Sequence, residues 1–173
     1  MLRIDPFAMR DWLGKPLGEI VNCTIALADV DRRLANQVEA ATNQRGLRTA
    51  FMTADPSSPT KRRGRIEVAA RLVGGGCSVE AAAGAVNLSA RQLERLFHRE
   101  LGMSPRQWRS IIRFRAAALA ARRGTGLAEA AIIGGYADQA HFTRASKALT
   151  GKTPRALIAQ HVGIIQDAEI GRF

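Results

Sequence analysis

Two stretches of this chain follow the same pattern, and that repetition limits its fold more than any other feature. In each, a short alanine-rich segment, a turn and a longer segment end in glycine, after which Ser/Thr-Pro opens another helix. The closing sequences are Gly102-Met103-Ser104-Pro105 and Gly151-Lys152-Thr153-Pro154. Glycine suits the left-handed residue that ends a helix, and Ser/Thr followed by proline supplies an N-cap and a first helical position. Within the first copy, Ser89 and Gln92 make an S-x-x-Q capping pair, and Leu93, Leu96, Phe97 and Leu101 fall on one helical stripe.

The punctuation predicts helix after helix: RIEVAARLV at 65–73, SVEAAAGAV from Ser78, a three-residue turn, then 89–101. A long helix at 104–122 follows, then LAEAAII, the turn GGYA, DQAHFTRASKALT and TPRALIAQHV. The fold class is therefore all-α, with two helix-turn-helix units at 78–101 and 127–149 joined by a long linker helix. In a helix-turn-helix the second helix enters the major groove of DNA. A linker of nineteen residues spans roughly 28 Å, so the two second helices could sit near one DNA turn apart, about 34 Å.

Charge points the same way. The chain carries 26 Lys+Arg against 15 Asp+Glu, and the excess is confined to residues 61–160, with eighteen basic and six acidic residues, whereas residues 1–60 hold seven of each. Such a block fits a polyanion, nucleic acid ahead of an anionic membrane. Cys23 and Cys77 form no CxxC pair or Cys/His cluster, so reduced thiols are expected and neither a disulfide framework nor a metal site. The N-terminus lacks an export signal, and the alanine run at 116–121 is bracketed by Arg115 and Arg122. A cytoplasmic, nucleoid-associated protein without a membrane partner is the expectation. No paired carboxylates, Ser/His/Asp set or reactive-cysteine motif supports an enzyme, and no cofactor is expected. A non-specific, nucleoid-type DNA binder would use the same basic block and is the main alternative.

These residues resemble the AraC/XylS-type bacterial transcription regulators over roughly residues 65–160. SARQLERLFHRELGMSPRQW is similar to that family's first recognition helix and the start of its linker helix. AEAAIIGGYADQAHFTRASKALTGKTP is similar to its signature segment, through Gly135-Tyr136, Asp138-Gln139, Phe142, Arg144 and Gly151-Lys152-Thr153-Pro154. The resemblance implies a homeodomain-like arrangement, sequence-specific binding of double-stranded DNA, and RNA polymerase as the protein partner. Ala130, Ser146 and Thr150 depart from the larger residues usual there, which implies a smaller core in the second unit.

Arg91, Glu94 and Arg95 lie opposite the apolar stripe, and the resemblance places them where family members reach base edges. Arginine pairs bidentately with guanine and glutamate accepts from cytosine. Gln139, His141 and Arg144 fall on the corresponding face of the second unit, with His141 equally able to sit beside a phosphate. Ser89, Arg99, Arg106, Arg109, Arg113 and Lys147 are the candidates for phosphate contacts, which supply affinity and register rather than sequence information. Trp108 and Phe114 read as core residues bridging the units, and Trp12 as a packing residue of the N-terminal segment.

The domain reading is a sensor-like or interaction segment at 1–53, a linker at 54–64 signalled by ADPSSPTKRRG, the DNA-binding domain at 65–162 and a tail at 163–173. Ahead of the linker, the segment reads as mostly helical. PLGEI and ADVDRRLANQVEAA are the expected helices, NCTIAL a candidate strand, and Val30, Leu34 and Val38 share helical spacing. The order of these segments is similar to the last part of the family's sensor region, in which a Pro-containing strand end gives way to helices. Most of a ligand-holding barrel is then missing, which leaves a small-molecule effector without a pocket. A homodimer through residues 16–42 is an expectation of this segment.

Overall fold

The computed structural model describes residues 6–13, 15–21, 23–41 and 64–160, with single positions at 43, 46 and 49. Among these residues every regular element is helical. In chain order they are α1 (Pro6–Leu13), a 3-10 helix (Leu17–Ile20), α2 (Leu27–Val30), α3 (Arg32–Glu39), α4 (Arg65–Gly74), α5 (Val79–Ala85), α6 (Ala90–Leu101), α7 (Pro105–Arg122), α8 (Leu127–Ile133), α9 (Gln139–Thr150) and α10 (Pro154–Gln160). None of the described helices is long and apolar enough to cross a membrane.

Local chemistry accounts for most of the boundaries. At the start of α6, Ser89 Oγ accepts from the Gln92 N–H at 3.2 Å, and Gln92 Oε1 accepts from the Ser89 N–H at 2.8 Å. Ser104 and Gln107 repeat this reciprocal pair at the start of α7, so each helix begins with two amides satisfied by side chains. Helix α6 ends at Gly102 and α9 at Gly151, with φ of 69° and 73° respectively. A side chain in either conformation would be strained.

Helix α7 is the axis of the domain. Its first half closes the core of the first unit, where Ile66, Val73, Leu93, Phe97 and Leu101 pack with Trp108. Its second half closes the core of the second unit, formed by Phe114, Ala117, Ala131, Tyr136 and Phe142. Trp108 and Phe114 thus belong to different cores, one on each side of the linker helix. Trp108 also donates from Nε1 to the Ala70 carbonyl at 2.8 Å, which satisfies the buried indole N–H.

The N-terminal region departs from the sequence expectations in three ways. Pro6, expected at a strand end, instead opens α1, where proline at the first helical position loses no hydrogen bond. Cys23–Ala26 of the candidate strand have no regular structure and Leu27 starts α2. An isolated strand is marginal without partners, and there are none among the described residues. The helix expected over ADVDRRLANQVEAA is broken at Asp31, whose extended backbone places its carboxylate to accept from the Leu34 N–H at 2.9 Å. Asp31 caps α3 rather than continuing α2.

Part of this region is built into the first unit. Phe7 lies edge-on to Trp108, with ring centroids 5.9 Å apart. Arg10 lies between Glu67 at 3.9 Å and Glu100 at 3.8 Å. Gly18 approaches the carbonyls of His98 and Arg99 so closely that a Cβ would collide with them. Of the linker expected at 54–64 only Gly64 is among the described residues, and the tail at 163–173 and the side chain of Trp12 lie outside them.

Candidate nucleic-acid interface

The two helix-turn-helix units superpose in their hydrogen bonding as well as in sequence. In the first turn the Leu88 N–H bonds the Ala83 carbonyl at 2.9 Å, and in the second the Tyr136 N–H bonds the Ala131 carbonyl at 2.9 Å. Second helices α6 and α9 are both twelve residues long. Asp138 caps α9 by accepting from the His141 N–H at 2.6 Å, the role Ser89 plays for α6.

Counting from these caps aligns Leu93 with Phe142, Phe97 with Ser146 and Leu101 with Thr150. Phe97 and Ser146 are both fully buried, so a hydroxyl occupies the place of a phenyl ring. Ser146 donates to the Lys152 carbonyl at 2.7 Å and Thr150 to the Ser146 carbonyl at 2.8 Å, which keeps both polar groups satisfied. A shallow cleft of about 70 Å³ is lined by Thr150 together with Phe114, Ala118, Leu157 and Ile158 among others.

Arg91, Glu94 and Arg95 are all exposed on α6, opposite buried Leu93 and Phe97. Among the described residues none of the three has an ion pair or side-chain hydrogen bond. On α9 the cap alignment pairs Arg95 with Arg144, which is also exposed, whereas Arg91 aligns with Ala140 and Glu94 with Thr143. Gln139 is exposed at the first position of α9. His141 aligns with the capping residue Gln92 and is half-buried, its ring edge-on to Tyr136 at 5.1 Å. Counting from the two caps, rather than from charge, is the signal that brings Ala140 and Thr143 to these positions.

The expected phosphate contacts divide. Ser89, Arg106 and Lys147 are exposed, at the start of α6, the start of α7 and the last turn of α9. Arg99 is exposed and paired with Glu100 at 2.8 Å. Arg109 and Arg113 are placed otherwise than the phosphate reading expects. The Arg109 guanidinium donates to the Val73 carbonyl at 3.2 Å and also to that of Cys77. The Arg113 guanidinium donates to Gly134 at 3.1 Å and to Gly135, and lies 4.6 Å from the centre of the Tyr136 ring. Burial raises the pKa of the Tyr136 hydroxyl, partly countered by that same Arg113 charge. Both arginines bind carbonyls at or just beyond the end of a helix.

No group of three or more His, Cys, Asp or Glu is placed to hold a metal ion among the described residues. What α6 and α9 offer instead are two exposed polar faces, each on a capped helix held against one axis.

This architecture defines the helix-turn-helix class. Residues 82–160 match the family model of a helix-turn-helix domain. The solved structure of a transcriptional regulator with an AraC-type DNA-binding domain, from Chromobacterium violaceum, is similar with a TM-score of 0.53 and 25% identity. The similarity covers 57% of this chain and 93% of that one. A probable AraC family transcriptional regulator from Rhodopseudomonas palustris CGA009 is similar with a TM-score of 0.48 and 19% identity, over 56% of this chain and 95% of that one. No curated protein matches at a significant level. The chain carries a helix-turn-helix domain over residues 82–160, and its fold is similar to that of the Chromobacterium violaceum regulator.

Proposed function

We propose that this protein regulates transcription by sequence-specific binding of double-stranded DNA, with α6 and α9 as its two reading helices. The observation that carries the reading is the duplicated unit itself. Two capped helices of equal length stand on one linker helix, each with its apolar face buried and a polar face free. Helix α7 has 18 residues, about 27 Å of rise, which suits adjacent major-groove segments.

In this reading Arg91, Glu94 and Arg95 read bases from α6, and Gln139 and Arg144 from α9. His141, packed on Tyr136, serves a phosphate better than a base edge. Ser89, Arg99, Arg106 and Lys147 hold the backbone, and Arg99 must give up Glu100 to do so. That exchange is inexpensive, because exposed ion pairs contribute about 0–1 kcal/mol. Arg109 and Arg113 stand outside this set, since each guanidinium already holds two backbone carbonyls of its own unit. Bound protein then recruits or blocks RNA polymerase. A dimer would have to be built mainly from α2 and α3, because Leu17–Ile20 already packs on α6; sedimentation of the full chain tests it.

Selection of bound duplexes from a random pool tests the reading. A two-part recognition sequence is expected, and no enrichment of any sequence would overturn it.

A further inference from the structure

We infer that Arg109 and Arg113 are positioning residues that fix the orientation of the two reading helices relative to each other. The two stand one turn apart on the same side of α7, and each grips a different unit. Arg109 holds the end of α4 and the turn into α5, through the Val73 and Cys77 carbonyls. Arg113 holds the end of α8 and the turn into α9, through the Gly134 and Gly135 carbonyls.

A guanidinium suits this task because its planar fork presents several donors in fixed directions. A two-point grip constrains rotation as well as distance, which a single hydrogen bond does not. Each grip is reinforced by packing on its own side. Trp108 Nε1 bonds the Ala70 carbonyl in the first unit. In the second, Gly134 lies so close to α7 that a Cβ would stand 2.7 Å from Ala117 Cβ and 2.8 Å from the Arg113 carbonyl. Tyr136 covers the Arg113 guanidinium from the other side. Each turn so held leads directly to the next helix of its unit: Gly134–Asp138 into α9, and Cys77–Ser78 into α5, which packs on α6. The linker helix thereby sets reading geometry as well as distance.

The consequence concerns which DNA is chosen. Two rigidly oriented helices accept one spacing and rotational phase between half-sites, whereas loosely joined ones accept several. The functional part rests on the proposed DNA reading; the geometric part does not, and the test separates them. Spin labels are placed at His98→Cys and Ala148→Cys, exposed positions on α6 and α9, in the full chain with Cys23→Ser and Cys77→Ser. Distances are read by pulsed electron resonance without DNA. A single narrow distribution is expected for the parent, and its loss by broadening or shift for Arg113→Ala and for Arg109→Ala. If an alanine variant loses helicity, the lysine variant at that position is read instead; it keeps the charge but not the fork, and the same broadening is expected. An unchanged distribution overturns the inference.

The second arm measures affinity for selected duplexes whose half-site spacing is changed by one and two base pairs. The parent should prefer one spacing and Arg113→Lys should flatten that preference. A uniform loss of affinity with the parental spacing profile overturns the positioning role. Failure of the parent to distinguish any duplex would instead overturn the DNA reading, leaving the distance result standing by itself.

Discussion

Replacing Phe142 by alanine should unfold the second unit while leaving the first folded. Phe142 is fully buried at the centre of its core, with ring centroids 5.3 Å from Tyr136 and 6.2 Å from Phe114. Removing such a side chain loses about 1.5–3 kcal/mol of burial and about 0.5–1.5 kcal/mol for each aromatic pair. Together these place the substitution in the range of about 3–5 kcal/mol typical of buried Phe→Ala. The surroundings cannot collapse to compensate, because the neighbours are already small: Ala117, Ala131 and Ser146 are fully buried. A whole domain has only about 5–15 kcal/mol of stability, and the second unit holds a fraction of it. Native-state hydrogen exchange, with far-UV circular dichroism for total helix, reads the result. Amides of α8–α10 should lose protection while those of α4–α6 keep theirs, since Phe97, Leu93 and Trp108 form a separate core. Equal loss of protection in both units, or a change below about 1 kcal/mol, would refute the claim of two cores on one axis.

Four further outcomes follow from the same structure. Arg95→Ala and Arg144→Ala should each relax preference at one base pair by about 1–3 kcal/mol, and an unchanged selected sequence for either removes that residue from base reading. Arg106→Ala and Lys147→Ala should weaken all duplexes alike and flatten the salt dependence by about one unit; a change of sequence preference would contradict a phosphate role. Gly18→Ala should displace the 3-10 helix from α6, seen as faster proteolytic cleavage between residues 13 and 41, and an unchanged rate would mean the close approach is not needed. Because the Tyr136 pKa is raised in the fold, folding keeps its proton longer than the unfolded chain does. Stability should be fully present below the ordinary tyrosine range near about 10 and decline as pH rises through the raised value. Denaturant midpoints of the parent and Tyr136→Phe as pH is raised should diverge there; parallel curves would contradict it.

How much of this was legible in the sequence depends on the reach of each interaction. Helix ends were legible wherever their chemistry is local: Ser89 with Gln92, Gly102, Ser104-Pro105 and Gly151 act within a few residues of themselves. The core stripe of α6 was legible for the same reason, since Leu93, Phe97 and Leu101 recur at helical spacing. Asp31 was misread although its cap is local, because an aspartate inside a helical pattern also looks like an exposed helix residue. Its extended backbone breaks the pattern without a glycine or proline to mark it. Long-range partners were not legible. Nothing local distinguishes Arg109 and Arg113, bound to carbonyls 36 and 21 residues away, from Arg106, which is exposed. Phe7 is one of two aromatics in PFAMRDWL, and only Trp108, brought near by folding, makes it core. On α9 charge singles out His141, whereas counting from the caps brings Ala140 and Thr143 to the places of Arg91 and Glu94.

The central claim is that two oriented helices read DNA sequence. Fluorescence anisotropy of the full chain on a selected duplex and on scrambled duplexes of equal length and composition, at physiological salt, tests it most directly. Specific binding tighter than non-specific binding by at least about a thousandfold is predicted, with the advantage reduced when either half-site is scrambled. Equal affinity for all duplexes would contradict it and leave only the electrostatic attraction of a basic block for a polyanion.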